Sequence, residues 1–209
     1  MPKRLIDLAL EELKGLIGSL ASVADESLRY ARNCIRQCSE GDLEKLRGFS
    51  RDAFRLKTEV HDLATEVIAR FQPVAADLRL LQALVNASYD FYRVTRYTFE
   101  IARTVRILEC NGCEMGLACE TWDQILEMMS LARKAILELD EKAARKVMQL
   151  DAGIDEAYIA GLTRLKSDTI DRCTAAEALI LRHLERIADH LTYIASETVY
   201  AVKGLREYV

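Results

Sequence analysis

Two prolines, Pro2 and Pro73, are the only ones in this 209-residue chain. Proline lacks the backbone donor that helix propagation needs and clashes with the preceding turn. Their near absence leaves runs of tens of residues that nothing obliges to stop being helical. Leu, Ala, Glu, Arg and Lys fill those runs, and all are strong helix formers. Apolar residues recur every third or fourth position, as a buried helical face requires. Leu5, Leu8, Leu13, Leu16, Leu20, Val23, Leu28 and Ile35 draw the first such stripe. With half the residues hydrophobic and 30% charged, a core with a solvated exterior follows, and the expected fold is all-α.

The punctuation divides the chain into six helices. The first is predicted from about Arg4 to Cys38, where Ser39-Glu40-Gly41-Asp42 supplies a stop and a new N-cap. The second runs to about Arg70, and Pro73 opens the third at its first turn, which extends to about Leu108. The segment CNGCEMGLAC, with two glycines and three cysteines, is the least helical. A fourth helix is expected from Thr121, a fifth capped by Asp140, and a sixth that Cys173 begins and Gly204 ends. The stretch ending at Ala102 can be laid on the stretch ending at Ala195 with the same apolar spacing. This suggests two tandem antiparallel three-helix bundles, over 1–109 and 121–209, joined by a Cys/Gly linker over 110–120.

Some function classes are disfavoured at this level. No stretch approaches the roughly 20 apolar residues of a membrane-spanning helix. MPKRLIDLALEELKG carries acids where a signal peptide would be apolar, so a cytoplasmic protein is expected. A net charge of −4 offers no basic stripe for nucleic acid. There is no Glu-x-x-His pair for a di-iron bundle, no phosphate loop, no nucleophile elbow and no HExxH pair. A non-enzymatic regulator is the expectation.

LILRHLERIADHLTYIA, from Leu179 to Ala195, poses a question for a core helix: Glu185 and Asp189 stack on one face at i,i+4. LDAGIDEAY places Asp151 and Asp155 at the same spacing one helix earlier. Adjacent helices could bring the four carboxylates to one patch, and such oxygen-rich patches attract Mg²⁺, Ca²⁺, Mn²⁺ or iron. The alternative is a solvated face, with Arg182, Arg186 or Arg164 as partners.

RHLERIADHLTYIASETVYAVKG resembles the closing signature of the PhoU family, Asp151-x-x-x-Asp155 resembles its D-x-x-x-D motif, and PVAADLR resembles its link in the first repeat. The resemblance implies a cytosolic regulator of phosphate uptake, acting with a phosphate ABC transporter and a sensor kinase, and associating as a homodimer. Contact with the membrane would be only through those partners. A PhoU-type accessory of another ion channel or permease is the rival. The resemblance also implies a divalent metal or iron site made by Asp151, Asp155, Glu185 and Asp189, on the solvent side of the last helix. The first repeat departs from the motif. Tyr92 and Arg96 fall where Glu185 and Asp189 fall in the second, and Asp52 is out of step, so one acidic site is expected, with Asp90 a partner for Arg93.

The six cysteines allow three readings. Cys34, Cys38, Cys110 and Cys113 could meet at one end of a bundle and hold a zinc or an iron–sulfur cluster. Cys110 could form a disulfide. Or Cys34 and Cys38 are small buried residues. Cys173 has no evident partner, linker thiols should be the most accessible, and His190 reads as a surface histidine.

Overall fold

The computed structural model describes residues 4–110 and 112–205. Residues 1–3, Asn111 of the linker and residues 206–209 lie outside the described residues. Among the described residues there are six α-helices and no strand: α1 (Leu5–Cys34), α2 (Glu40–Phe71), α3 (Ala75–Ile107), α4 (Gly116–Glu138), α5 (Glu141–Arg164) and α6 (Arg172–Lys203). None is long and apolar enough to cross a membrane.

Several boundaries follow from the residues read as caps. Ser39 accepts from the Asp42 N–H while the Asp42 carboxylate accepts from the Ser39 N–H, a reciprocal capping box. Asp140 accepts from the N–H groups of Lys142 and Ala143. Gly204 closes α6 at φ 76°, where glycine has no Cβ to clash.

Three boundaries differ from expectation. α1 stops at Cys34, so Cys38 sits in the following turn. α3 starts at Ala75, two residues past Pro73. α4 starts at Gly116, inside the segment read as linker, and the Thr121 hydroxyl donates to the Leu117 carbonyl within the helix rather than capping it. The reason is tertiary. Buried Glu177 of α6 reaches across to accept from the Ala118 N–H at 3.1 Å, and its other oxygen takes Arg164 at 2.6 Å. A remote carboxylate thus satisfies an orphan donor at the start of α4.

Helices α1–α3 and α4–α6 form the two expected antiparallel sets, and α3 also packs against α6 along its length. The cross-contacts Gln82–Tyr200, Asn86–Glu197, Asp90–His190 and Tyr97–His183 fall on α6 as they rise on α3, so the two helices are antiparallel. Tyr97 and His190 occupy equivalent places in the two halves and meet ring to ring at 5.7 Å, as a two-fold relation between the halves requires. The core runs continuously through both sets. Trp122, Phe91, Leu13, Ile17, Leu20 and Ile125 are fully buried in it. Leu5 and Leu8, at the start of the α1 stripe, are exposed.

Candidate functional site

α5 and α6 lie side by side. Asp151 and Asp155 project from α5, and Glu185 and Asp189 from α6. Each pair is one helical turn apart, which keeps its carboxylates on one side. The acids of α6 are not on a solvent face: the Glu185 side chain is 12% exposed and that of Asp189 25%. Burial, then Asp155 and Asp189, push Asp151 up to about 6, against a small opposing pull from the Thr192 hydroxyl. Burial also raises Glu185, followed by the charge of Asp189, with Arg182 and Arg186 opposing and Asp155 adding to the rise. Acids of one helix therefore feel acids of the other, and all four share one negative field.

Two arginines already answer part of that field. Arg182 donates to both oxygens of Glu185 at 2.7 Å, and its guanidinium stacks over Tyr158 at 5.2 Å. Arg186 reaches Asp189 at 2.9 Å and Glu185 at 3.6 Å. Arg164, the third candidate partner, is taken by Glu177 instead. Four carboxylates against two guanidiniums leave an excess of hard oxygen donors, the donor chemistry that suits a divalent cation or iron. No three of these oxygens lie within 4.8 Å of one another. Closing them around one ion requires Arg182 and Arg186 to release their partners.

The corresponding face of the first half has different chemistry. Tyr92 packs edge-on against Phe54 at 5.7 Å, with the Lys57 ammonium 5.2 Å from the Phe54 ring. Arg96 pairs with Glu100 at 3.6 Å, and Asp52 points out as an exposed residue. This face presents an aromatic pair and cations where the second half presents acids.

Asp90 does not pair with Arg93. It accepts from, or donates to, His190 Nδ1 at 2.8 Å across the α3–α6 seam, and both side chains are nearly buried. Tyr89, Tyr97 and Tyr193 surround the His190 ring within 6.1 Å. The surface histidine of the sequence reading is an interior one. Its signal was present in the repeat alignment, which puts His190 opposite Tyr97, but only the antiparallel seam shows what it meets.

The cysteines also rearrange. Cys113 is bonded to Cys173, the residue expected to stand alone. That removes Cys113 from any four-thiolate site and leaves Cys110 free and buried. Of the linker thiols only Cys119, on α4, is partly exposed. Cys34 and Cys38 do come together, with Asp42 as a third neighbour: one donor atom from each lies within 4.8 Å of the others. Burial, then the neighbouring Cys38 and Asp42, push the Cys34 thiol up to about 12.

The family model described as "PhoU domain" matches residues 120–198, the second helix set with both acid pairs. The chain is 27% identical to the "Phosphate-specific transport system accessory protein PhoU homolog" of Synechocystis sp., over 95% of this chain and 92% of that one. It is 30% identical to the protein of the same name from a Burkholderia species, over 71% of this chain and 68% of the other. Among solved structures, PhoU from Pseudomonas aeruginosa superposes with a TM-score of 0.85 at 24% identity, covering 95% of this chain and 99% of that one.

Proposed function

The chain belongs to the PhoU family, and from that premise we propose that it is a non-enzymatic regulatory accessory protein of phosphate transport. The supporting observation is the extent of the likeness: relatives named as accessory proteins of phosphate-specific transport systems match it through both helix sets, over nearly their full length. On this reading the protein is cytoplasmic and homodimeric, reaches the membrane only through its partners, and modulates a phosphate ABC transporter and its sensor kinase. The face made by Asp151, Asp155, Glu185 and Asp189 binds a divalent metal or iron. Its support is the burial of Asp151 beside the like charges of Asp155 and Asp189, together with the oxygen-only donor set.

The test is affinity purification of the full chain from phosphate-replete cells, with identification of the membrane components that come with it. Phosphate transporter subunits and a sensor kinase are the expected companions. Recovery of a channel or unrelated permease in their place would overturn the phosphate assignment in favour of an accessory role elsewhere. Light scattering at micromolar concentration checks the dimer, and a monomer there refutes it.

A further inference from the structure

We propose that Cys34, Cys38 and Asp42 form a second metal site, for a thiophilic ion such as Zn²⁺, at the turn between α1 and α2. It does not rest on the acidic face, which lies on other helices and offers oxygen alone. Cys34 ends α1, Cys38 sits in the turn and Asp42 is in the first turn of α2, so the three ligands are evenly spaced at C-x₃-C-x₃-D. That first interval falls within the C-x₂₋₄-C spacing of structural zinc sites.

The donors are close and one of them is held. One atom from each lies within 4.8 Å of the others, the sole such grouping among the described residues. Ligand atoms on one tetrahedral zinc stand roughly 3.5–3.8 Å apart, given Zn–S of about 2.3 Å and Zn–O of about 2.0–2.2 Å, so each pair needs to close by at most about 1.3 Å. Tyr30 donates to Asp42 Oδ1 at 2.5 Å, and Ser39 donates to Oδ2 through its N–H at 2.8 Å and its hydroxyl at 2.7 Å. These contacts orient the carboxylate as a supporting shell does around a metal ligand. They leave a lone pair on Oδ1 for a metal, since a carboxylate can accept about four bonds and only one of the three falls on that oxygen. The thiols by contrast make only weak contacts, Cys34 to the Tyr30 carbonyl at 3.5 Å and Cys38 to the Ser39 carbonyl at 3.7 Å. These are readily given up.

The site also has an approach from solvent at Cys38. A cavity of about 310 Å³ opens beside Cys38, walled by Val105, Arg106, Glu109 and Arg172. Its volume is enough for an ion and accompanying water beside Cys38. When Zn²⁺ binds, two sulfur–zinc bonds replace two S–H bonds and two protons leave to solvent, with no change of oxidation state.

Zinc binding to the full chain, under a non-thiol reductant, is the measurement. Reduced protein should take up one more Zn²⁺ than a Cys34→Ser/Cys38→Ser variant. Co²⁺ in place of zinc should give the near-ultraviolet thiolate charge-transfer band that carboxylates cannot produce, and the variant should lose it while Cys110→Ser keeps it. If the double variant does not fold, the unmodified chain still decides. Zinc should protect Cys34 and Cys38 from alkylation, as mapped by mass spectrometry, and a chelator should restore their reaction. Equal zinc uptake by parent and variant, no thiolate band in the parent, or protection confined to Cys113 and Cys173 would each overturn the proposal.

Discussion

Asp151→Asn should make the metal-free protein more stable as pH rises above about 3.8, with the full gain above about 6. Asp151 is held up to about 6, against an ordinary 3.8, by burial and by the charges of Asp155 and Asp189. Between those two pH values the unfolded chain has released this proton and the native chain has kept it. The unfolded state binds fewer protons, so stability falls as pH rises through the window and stays lowered above it. Moving the ionisation from 3.8 to about 6 has a ceiling of about 3 kcal/mol. A half-buried carboxylate is partly screened, which reduces the expected gain to about 1–2 kcal/mol. For a chain of this size that is roughly 2–8 °C in Tm. Thermal unfolding of parent and variant in chelator, at pH 7.5 and at pH 4, is the assay. The variant should melt higher at pH 7.5 and level with the parent at pH 4. A variant no more stable at pH 7.5, or equally stabilised at both values, would show that the acids do not share a field.

The pair Asp155→Asn/Glu185→Gln should abolish a rise in Tm induced by iron or manganese, which saturating cation gives as about 2.7 kcal/mol at a hundredfold excess over Kd; Tyr92→Phe should leave that rise intact. Arg186→Gln removes the rival cation from Glu185 and Asp189. Titration calorimetry should then show metal affinity up by roughly two- to fivefold, the worth of a partly exposed ion pair. Cys173→Ser breaks the bridge to Cys113 and should lower stability in denaturant by about 2–4 kcal/mol relative to the oxidised parent. Under reducing conditions that difference should vanish.

How much of this was legible beforehand varied with how local the determinant is. The helix count, the pseudo-repeat and the caps at Ser39, Asp140 and Gly204 are written in periodicity and in residues within four positions of each boundary. The start of α4 was not, because the group that satisfies its N–H donors is Glu177, 59 residues away. Sequence spacing placed the acids in pairs on consecutive helices. It could not weigh Arg182 and Arg186, whose contacts with Glu185 and Asp189 depend on rotamers at the α5–α6 contact. The Asp90–His190 pair and the Cys113–Cys173 bond were out of reach for the same reason: each joins residues 60 or more positions apart, whose meeting depends on how the helices dock.

The bond between Cys113 and Cys173 has a mechanical consequence. Its two ends are 60 residues apart in sequence, and α4 and α5 lie wholly between them. Under tension applied at the two termini, force passes from the end of α3 through the sulfur atoms straight into α6. The enclosed helices carry none of it along their backbone. A fully stretched oxidised chain would be shorter than a reduced one by roughly 200 Å, at 3.3–3.6 Å per residue. α6 can be peeled away while α5 remains in its closed loop, so a pull would part Glu185 and Asp189 from Asp151 and Asp155 without unravelling the helix that carries the second pair. A protease cut anywhere in that loop would likewise leave one covalently connected molecule until the sulfurs are reduced.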